Sequence, residues 1–321
     1  MEELDLSIII ISFNTKVLLI NCINSIYKTI KNLNYEIIVV DNASADGSPE
    51  MIEATFGDLK LIKNKENLGF AKANNQGIKV AKGNYLLLLN SDTIVPEGTI
   101  ETLVKFINEH PNAAAVGPKV LNFDGTLQTK GYNFPSLKLS FICLIRIPKF
   151  LPEGSMRRFF HKYYWGENDT TQVDWLGACC LLVRKKTIDK IGMLCEDFFM
   201  YFEDQEWCYR ARKKKYEIWY VPTAEIFHQN WGSPLSIRAD LGRIGQLIFY
   251  QKSLGLFKGV MIHVVSVLSL GVAYVTRLLN PSASKEREET RGQLREQMEF
   301  LKLLISNELS STPIVKGKDK G

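Results

Sequence analysis

The sequence predicts a doubly wound α/β sheet, and three observations predict it. Continuous β-branched and leucine runs, too short to span a membrane, recur between residues 6 and 89. Amphipathic helical repeats separate them, and each run stops abruptly at a polar residue. In open sheets of this kind ligands bind outside the carboxyl ends of the strands, so those polar stops are where function is expected.

Residues 6–13, Leu-Ser-Ile-Ile-Ile-Ile-Ser-Phe, show no polar alternation and read as a strand buried on both faces. Asn14 and Thr15 offer cap oxygens, and Ile20, Ile23, Tyr27 and Ile30 recur at helical spacing, predicting a first helix to about Lys31. A second apolar run, residues 35–40, ends in the polar loop Asp41-Asn42-Ala43-Ser44-Ala45-Asp46-Gly47-Ser48. Residues 59–63 predict a short strand, 69–81 a helix, and 85–89 another buried strand that ends in Asn90-Ser91-Asp92. Ser12 to Asn14, Asp41 and Asn90 to Asp92 therefore converge on one rim. Further on, Trp175 to Val183 reads as a strand, and Asp197 to Arg212 as a loop leading into a helix.

Composition narrows the function classes. The 321 residues are 45% hydrophobic and 23% charged, which excludes a disordered, collagenous or disulfide-scaffold chain. A net charge of +5 favours phosphates or acidic lipid headgroups as partners, and no nucleic acid is expected. Six cysteines form no Cys-x-x-Cys pair, as in a reduced cytosolic chain, and adjacent Cys179 and Cys180 on a strand would face opposite sides. The acidic start, Met1-Glu2-Glu3-Leu4-Asp5, lacks the basic opening of a secretory signal, so the expected compartment is the cytoplasm. No internal repeat, Walker motif or Gly-x-Gly-x-x-Gly fingerprint is found, which argues against a dinucleotide oxidoreductase.

Three later regions change character. Residues 136–162 interleave apolar residues with Lys138, Arg146, Lys149, Arg157, Arg158 and Lys162, a basic amphipathic insertion that reads as a membrane-surface element or a solvated helical connection. Gly259 to Thr276 carry no formal charge with His263 neutral, and read as an in-plane membrane helix or hydrophobic docking surface ahead of a true crossing. From Lys285 a helix is expected with Leu294, Met298, Leu301 and Ile305 as its stripe, a contact for a partner or a second copy in a homo-oligomer. The expected organisation is a sheet domain over 1–240, a C-terminal helical, membrane-associating region over 241–310, and a disordered tail over 311–321.

Asp41, at the end of a buried strand, can accept a hydrogen bond from the N3–H of uracil or thymine, although Asp-Asn is also ordinary turn chemistry. Asp92 follows Asn90 and Ser91 after four leucines, so rigid structure holds its carboxylate where a hard divalent cation would bind. Glu203 and Asp204 follow Phe198-Phe199-Met200-Tyr201-Phe202 and open a helix, where they can cap it. Aromatic neighbours also desolvate them and raise a carboxyl toward the range of a general base.

Taken together, Ser7 to Asn14, Val39 to Ser48, Glu66 to Asn75, Leu87 to Asp92, Trp175 to Ala178, Tyr201 to Arg210 and His228 resemble a family 2 glycosyltransferase, most closely its rhamnosyltransferase-like branch. The resemblance covers residues 6 to about 235, with the motifs in the family's order. It implies a GT-A fold with a doubly wound mixed sheet and helices on both faces, to which the apolar pattern after residue 240 adds a C-terminal helical extension. It also implies inverting transfer from a dTDP or UDP sugar to a saccharide or lipid-linked saccharide acceptor in surface polysaccharide synthesis, and the basic insertion with Gly259 to Thr276 places that acceptor at the inner membrane surface. Asp41 would read the base beside Ser12, Phe13 and Asn14, and Asn67, Gly69, Phe70 and Asn74 would shape the donor pocket. Asn90, Ser91, Trp175 and Gly177 would complete it. Asp92 and His228 would hold Mg²⁺ or Mn²⁺, with Asn90 departing from the first Asp of the family's Asp-x-Asp motif and contacting ribose or a metal-bound water. Asp204 would be the catalytic base and Glu203 its runner-up. Two other readings are a sugar-1-phosphate nucleotidyltransferase, which would want a Gly-rich basic loop that Ser12-Phe13-Asn14-Thr15-Lys16 is not, and an inactive membrane-associated binding module.

Overall fold

The computed structural model describes residues 4–129, 131–144, 167–229, 235–278 and 284–306. They fall into two units, one of residues 1–134 and 165–245, the other of 135–164 and 246–321.

In the first unit the short apolar runs become the parallel strands Leu6–Ser12 (β1), Tyr35–Asp41 (β2), Lys60–Lys63 (β3) and Tyr85–Asn90 (β4), separated by helices Lys16–Thr29 (α1), Ser48–Thr55 (α2) and Phe70–Val80 (α3). Thr93–Ile94 (β5), Thr99–Glu109 (α4), Ala113–Leu121 (β6) and Leu127–Thr129 (β7) follow, then Leu137–Leu144 (α5) in the second unit. The first unit resumes with Thr171–Val173 (β8), Cys180–Arg184 (β9), Lys185–Ile191 (α6), Glu203–Lys213 (α7) and Glu217–His228 (β10), and Leu235–Phe249 (α8) follows. Among the described residues the sheet runs β3-β2-β1-β4-β9-β6-β10-β5, with β7 beside β6 and β8 beside β10. β9 is antiparallel to both neighbours, which makes the sheet mixed.

Successive side chains of a strand point to opposite faces, so Ile8 and Ile10 join a core with α1, α2 and α4 while Ile9 joins another with α3, α6 and α7. Helices thus cover both faces, and that is why β1 has no polar alternation.

The expected strand over Trp175 to Val183 is corrected: only Cys180–Arg184 is strand there. The preceding backbone bonds elsewhere, with the Ala178 N–H donating to Asp204 Oδ2 at 2.9 Å and the Cys179 carbonyl accepting from the Asn90 N–H at 3.0 Å. Cys179 lies just before the strand and packs against the same core as Cys180.

In the second unit, a π-helical turn Tyr250–Leu254 leads into Leu256–Leu278 (α9), followed by Ser284–Ser306 (α10). α5 and α10 both pack on α9. Among the described residues α9 alone is long and apolar enough to cross a membrane, with a mean hydropathy of 1.9. The predicted stripe of α10 is only partly right. Phe300, Leu304 and Thr290 are the buried residues, while Met298 and Ile305 are exposed. Polar partners on α9 turn the helix: Arg277 donates to Thr290 Oγ1, and His263 Nδ1 donates to Gln297 Oε1 at 2.7 Å. The basic insertion beyond residue 144 and the tail after 306 lie outside the described residues.

Candidate active site

Strand register alone brings three of the predicted stops together, since Ser12 pairs with Asp41 and Ile11 with Asn90. Asp41 is buried, and its Oδ2 accepts from the Ser44 N–H at 2.9 Å. Its Oδ1 is buried with no hydrogen-bond partner, an arrangement costly enough to mark a place for a donor group. Asn14 (φ 54°) closes the neighbouring loop, its side-chain oxygen accepting from the Ala45 N–H at 2.7 Å and its own N–H donating to Ser44 Oγ at 2.9 Å. Phe13, between Ser12 and Asn14, is 40% exposed.

Asn42 carries the site across to α3 by donating from Nδ2 to the Gly69 carbonyl at 3.2 Å. Asn67 Oδ1 accepts from the Gly69 N–H at 2.9 Å, and the Phe70 N–H donates to the Phe199 carbonyl at 2.6 Å. Gly69 has φ +81°, and a Cβ there would lie 2.4 Å from the Phe199 oxygen, so only glycine permits this junction. Asn74, fully buried, donates from Nδ2 to the Phe70 carbonyl at 3.0 Å while its Oδ1 has no partner.

At the other side of β1, Ser12, Thr15 and Ser91 form a ladder of hydroxyls, 3.1 Å and 2.9 Å apart. Thr15 thus makes no side-chain cap bond to α1, contrary to the capping expectation. β5 and β10 pair His228 with Thr93, which sets the imidazole beside Asp92. His228 Nε2 lies 3.1 Å from Asp92 Oδ1 and 3.1 Å from Asn90 Nδ2. Adjacent ligands of a six-coordinate ion with bonds of about 2.1 Å sit about 3 Å apart. The carboxylate–imidazole pair therefore fits Mg²⁺ or Mn²⁺, although no group of three His, Cys, Asp or Glu able to hold a metal occurs among the described residues. Water or substrate oxygens would have to complete such a site.

Glu203 and Asp204 open α7 directly after Tyr201 and Phe202, two consecutive non-glycine residues at φ 71° and 73°. Strain of that kind persists only where the surroundings enforce it. Gly245 helps, since a Cβ on it would lie 2.7 Å from the Tyr201 carbonyl. Further along α7, Arg210 holds Glu206 from Nε at 2.8 and 2.9 Å and reaches the Ile191 and Met193 carbonyls. Burial raises the Asp204 carboxyl, opposed by the amide hydrogens of Ala178 and Gln205 on its two oxygens. Burial raises Glu203 well above the carboxylate range, and the Asp204 charge adds to it. Glu203 Oε2 is buried without a partner. Of the two, Glu203 keeps its proton longer and Asp204 carries the anion. Gly177 leaves room beside that anion, since a Cβ there would meet only Asp204 Oδ2, at 3.9 Å. Trp175 stacks on Tyr132 with ring centroids 4.3 Å apart.

These contacts close a circuit. It runs from Asp41 through Asn42 to Gly69, by Phe70 to Phe199 and the loop into Asp204, back through Ala178 and Cys179 to Asn90, and through Ser91 and Thr15 to Ser12. Asp92 and His228 lie off this circuit and meet it at Asn90, where His228 Nε2 contacts Asn90 Nδ2. Gln128 and Thr15 were missed: a lone Gln in a three-residue strand carries no pattern, and Thr15 read as a cap.

The Glycosyl transferase family 2 model matches residues 7–186. The N-acetylglucosaminyl-diphospho-decaprenol L-rhamnosyltransferase of Mycobacterium tuberculosis is 27% identical over 203 residues, 60% of this chain and 66% of its own length. The match thus spans just under two thirds of that relative. The low-salt glycan biosynthesis hexosyltransferase Agl10 of Haloferax volcanii is 27% identical over 231 residues, 70% of this chain and 67% of its own. Among solved structures, the mannosyltransferase PcManGT of Pyrobaculum calidifontis, in complex with GDP-Man and Mn²⁺, superposes with a TM-score of 0.60 at 16% identity, over 97% of this chain and 89% of that one. GalNAc-T7 with UDP, GalNAc and Mn²⁺ gives 0.54 at 15% identity, over 73% of this chain and 46% of that one. The fold is GT-A, as the sequence resemblance implied.

Proposed function

The chain belongs to glycosyl transferase family 2, and from that membership we propose that it moves a sugar, rhamnose first among candidates, from a dTDP- or UDP-linked donor to a hydroxyl of a saccharide or lipid-linked saccharide, with inversion. The observation that supports this reading is the run of contacts that links Asp41 to Asp204 and to Asn90, with Asp92 reached from Asn90 through His228.

Asp41 Oδ1 accepts the N3–H of the pyrimidine, beside the exposed ring of Phe13. Uracil and thymine carry the same N3–H, so this contact selects a pyrimidine and not the sugar. Asn67, Gly69, Phe70 and Asn74 shape the donor pocket, and Asn90 and Ser91 face the ribose and phosphates. Asp92 and His228 hold the divalent cation, which when bound supplies Lewis-acid stabilisation of the leaving diphosphate, worth several kcal/mol in transition states of this kind. Asp204 takes the proton of the acceptor hydroxyl as that oxygen bonds to the anomeric carbon and the bond to the diphosphate oxygen breaks. Such a base contributes about 10²–10⁴-fold. Attack opposite the leaving group inverts the centre in one displacement and leaves no glycosyl-enzyme intermediate. Glu203, the protonated neighbour, orients the acceptor.

The Mycobacterium tuberculosis relative, an N-acetylglucosaminyl-diphospho-decaprenol L-rhamnosyltransferase, supports a lipid-linked acceptor. So does α9, whose Phe257, Leu268, Val272 and Val275 are exposed and recur on one face, with Lys258 and Arg277 near its ends. We read this helix as lying on the cytoplasmic face of the membrane.

A donor screen tests the reading: the purified protein is offered a panel of nucleotide sugars with and without Mn²⁺ and a saccharide acceptor, and products are weighed by mass spectrometry. The expected result is glycosylated acceptor plus nucleoside diphosphate from a dTDP or UDP donor. Release of pyrophosphate instead would point to a nucleotidyltransferase and overturn the reading.

A further inference from the structure

The hairpin of β6 and β7 does more than extend the sheet. Gln128, in β7, has both amide hydrogens engaged by acceptors, the His228 carbonyl at 3.2 Å and Asn122 Oδ1 at 2.9 Å. A backbone carbonyl can only accept, so the NH₂ end of Gln128 is fixed toward it and Oε1 is fixed as the acceptor. That oxygen lies 2.6 Å from His228 Nδ1. Nδ1 therefore carries the hydrogen, and in the neutral ring Nε2 keeps its lone pair, facing Asp92 Oδ1 at 3.1 Å.

The orientation is anchored further back. Asn122 Oδ1 is the acceptor because Asn122 Nδ2 donates to Thr126 Oγ1 at 2.9 Å, and the Thr126 hydroxyl donates in turn to Asp124 Oδ1 at 2.6 Å. A carboxylate that only accepts ends the relay. From Asp124 to His228 every hydrogen points the same way, and the turn that arranges it has Gly125 at φ +80°, with the Gly125 N–H donating to the Asn122 carbonyl at 2.9 Å.

We propose that Gln128 is a positioning residue that fixes the ring orientation and tautomer of His228, and thereby sets the affinity of the Asp92–His228 pair for a divalent cation. This rests on the proposed role of that pair. Partners behind a ligating histidine are worth about 10–100-fold in metal affinity, so the expected effect is of that size.

The experiment titrates Mn²⁺ into the full chain and reads free Mn²⁺ by electron paramagnetic resonance, with circular dichroism melting as a control for folding. Gln128→Met keeps the length but removes the acceptor, and the expected outcome is a 10–100-fold weaker Mn²⁺ site with an unchanged far-ultraviolet spectrum. Gln128→Glu restores an acceptor to Nδ1, and should recover the affinity to within about threefold of the parent. Asp92→Ala separates this proposal from the reading it rests on. Wild-type affinity in Gln128→Met with weakened binding in Asp92→Ala overturns the positioning role alone. Equal weakening in the Met and Glu variants also overturns it, because the loss then follows from the hairpin's donors and not from the acceptor on Nδ1. Wild-type affinity in Asp92→Ala overturns both.

Discussion

The two units distribute polarity in opposite senses. In the sheet unit, strands such as Ile8–Ile10 and Leu86–Leu89 are wholly buried, and polar side chains gather at the strand ends. In the helical unit two polar residues, His263 and Thr290, are inside and an apolar face is outside, while most of the charges of α10 stay exposed. His263 is buried, with Tyr250 OH at 3.2 Å from Nε2 and Gln297 Oε1 at 2.7 Å from Nδ1, while Phe257, Leu268, Val272, Val275 and Leu278 are exposed. A large apolar face left open at a polar centre is what a lipid-facing element shows, whereas a water-facing domain shows the reverse. On the proposed function, catalysis and membrane association would be built on separate parts of the chain, and the two should be separable by substitution.

The largest expected effect is in the sheet unit. Asp204→Asn removes the base but keeps an oxygen for the Ala178 amide, so transfer should fall about 10²–10⁴-fold while the affinity for nucleoside diphosphate, read by calorimetry, stays within about twofold. Full turnover by this variant would break the assignment. Next in size, and confined to the helical unit, is Leu268→Ser with Val272→Ser and Val275→Ser. Each loses on the order of 1 kcal/mol of burial in the lipid interface, so together they should weaken binding to vesicles containing anionic lipid about 10²-fold. Transfer to a water-soluble saccharide should persist. If vesicle binding is unchanged, the contrast between the units fails.

Gly69→Ala is smaller and sharpens the sheet side. The added methyl meets the Phe199 carbonyl at a φ that L-residues rarely adopt, which costs roughly 1–3 kcal/mol and lowers the melting temperature by several degrees. Because the same junction joins the donor pocket to the loop before Asp204, KM for the donor should rise with the loss of stability. An unaltered melting curve would mean that the junction relaxes freely.

How much of this was legible in the sequence differs by element for physical reasons. β1, β2 and β4 and the strand-end positions of Asp41 and Asp92 were readable because a strand buried on both faces must be continuously apolar, and its end is where polarity returns. Trp175 to Val183 looked like one such run, but its backbone serves Asp204 and Asn90, and no apolar pattern records that. α10 was misread for a related cause, since its inward face includes buried Thr290 and half-buried Gln297, bonded to Arg277 and His263 on another helix. Gln128 was invisible because its importance lies in the direction of its hydrogen bonds, which depends on residues from Asn122 to His228.

The smallest expected effect on rate distinguishes the two adjacent carboxylates. Burial and the Asp204 charge hold the Glu203 carboxyl well above its ordinary range. The folded chain therefore binds this proton more tightly than the unfolded one. The stabilisation it gives is complete below the unfolded carboxylate range and is lost as pH rises toward the folded value, on the order of 1 kcal/mol per pH unit. Gln at this position has no proton to lose. Glu203→Gln should therefore melt close to the parent near pH 4 and several degrees above it at neutral pH, at about 2–4 °C per kcal/mol. Its transfer rate should fall by about tenfold or less, against the 10²–10⁴-fold expected of Asp204→Asn. The opposite pattern, with the larger loss at Glu203 and no pH-dependent gain in melting temperature, would exchange the roles of the two carboxylates and make Glu203 the base.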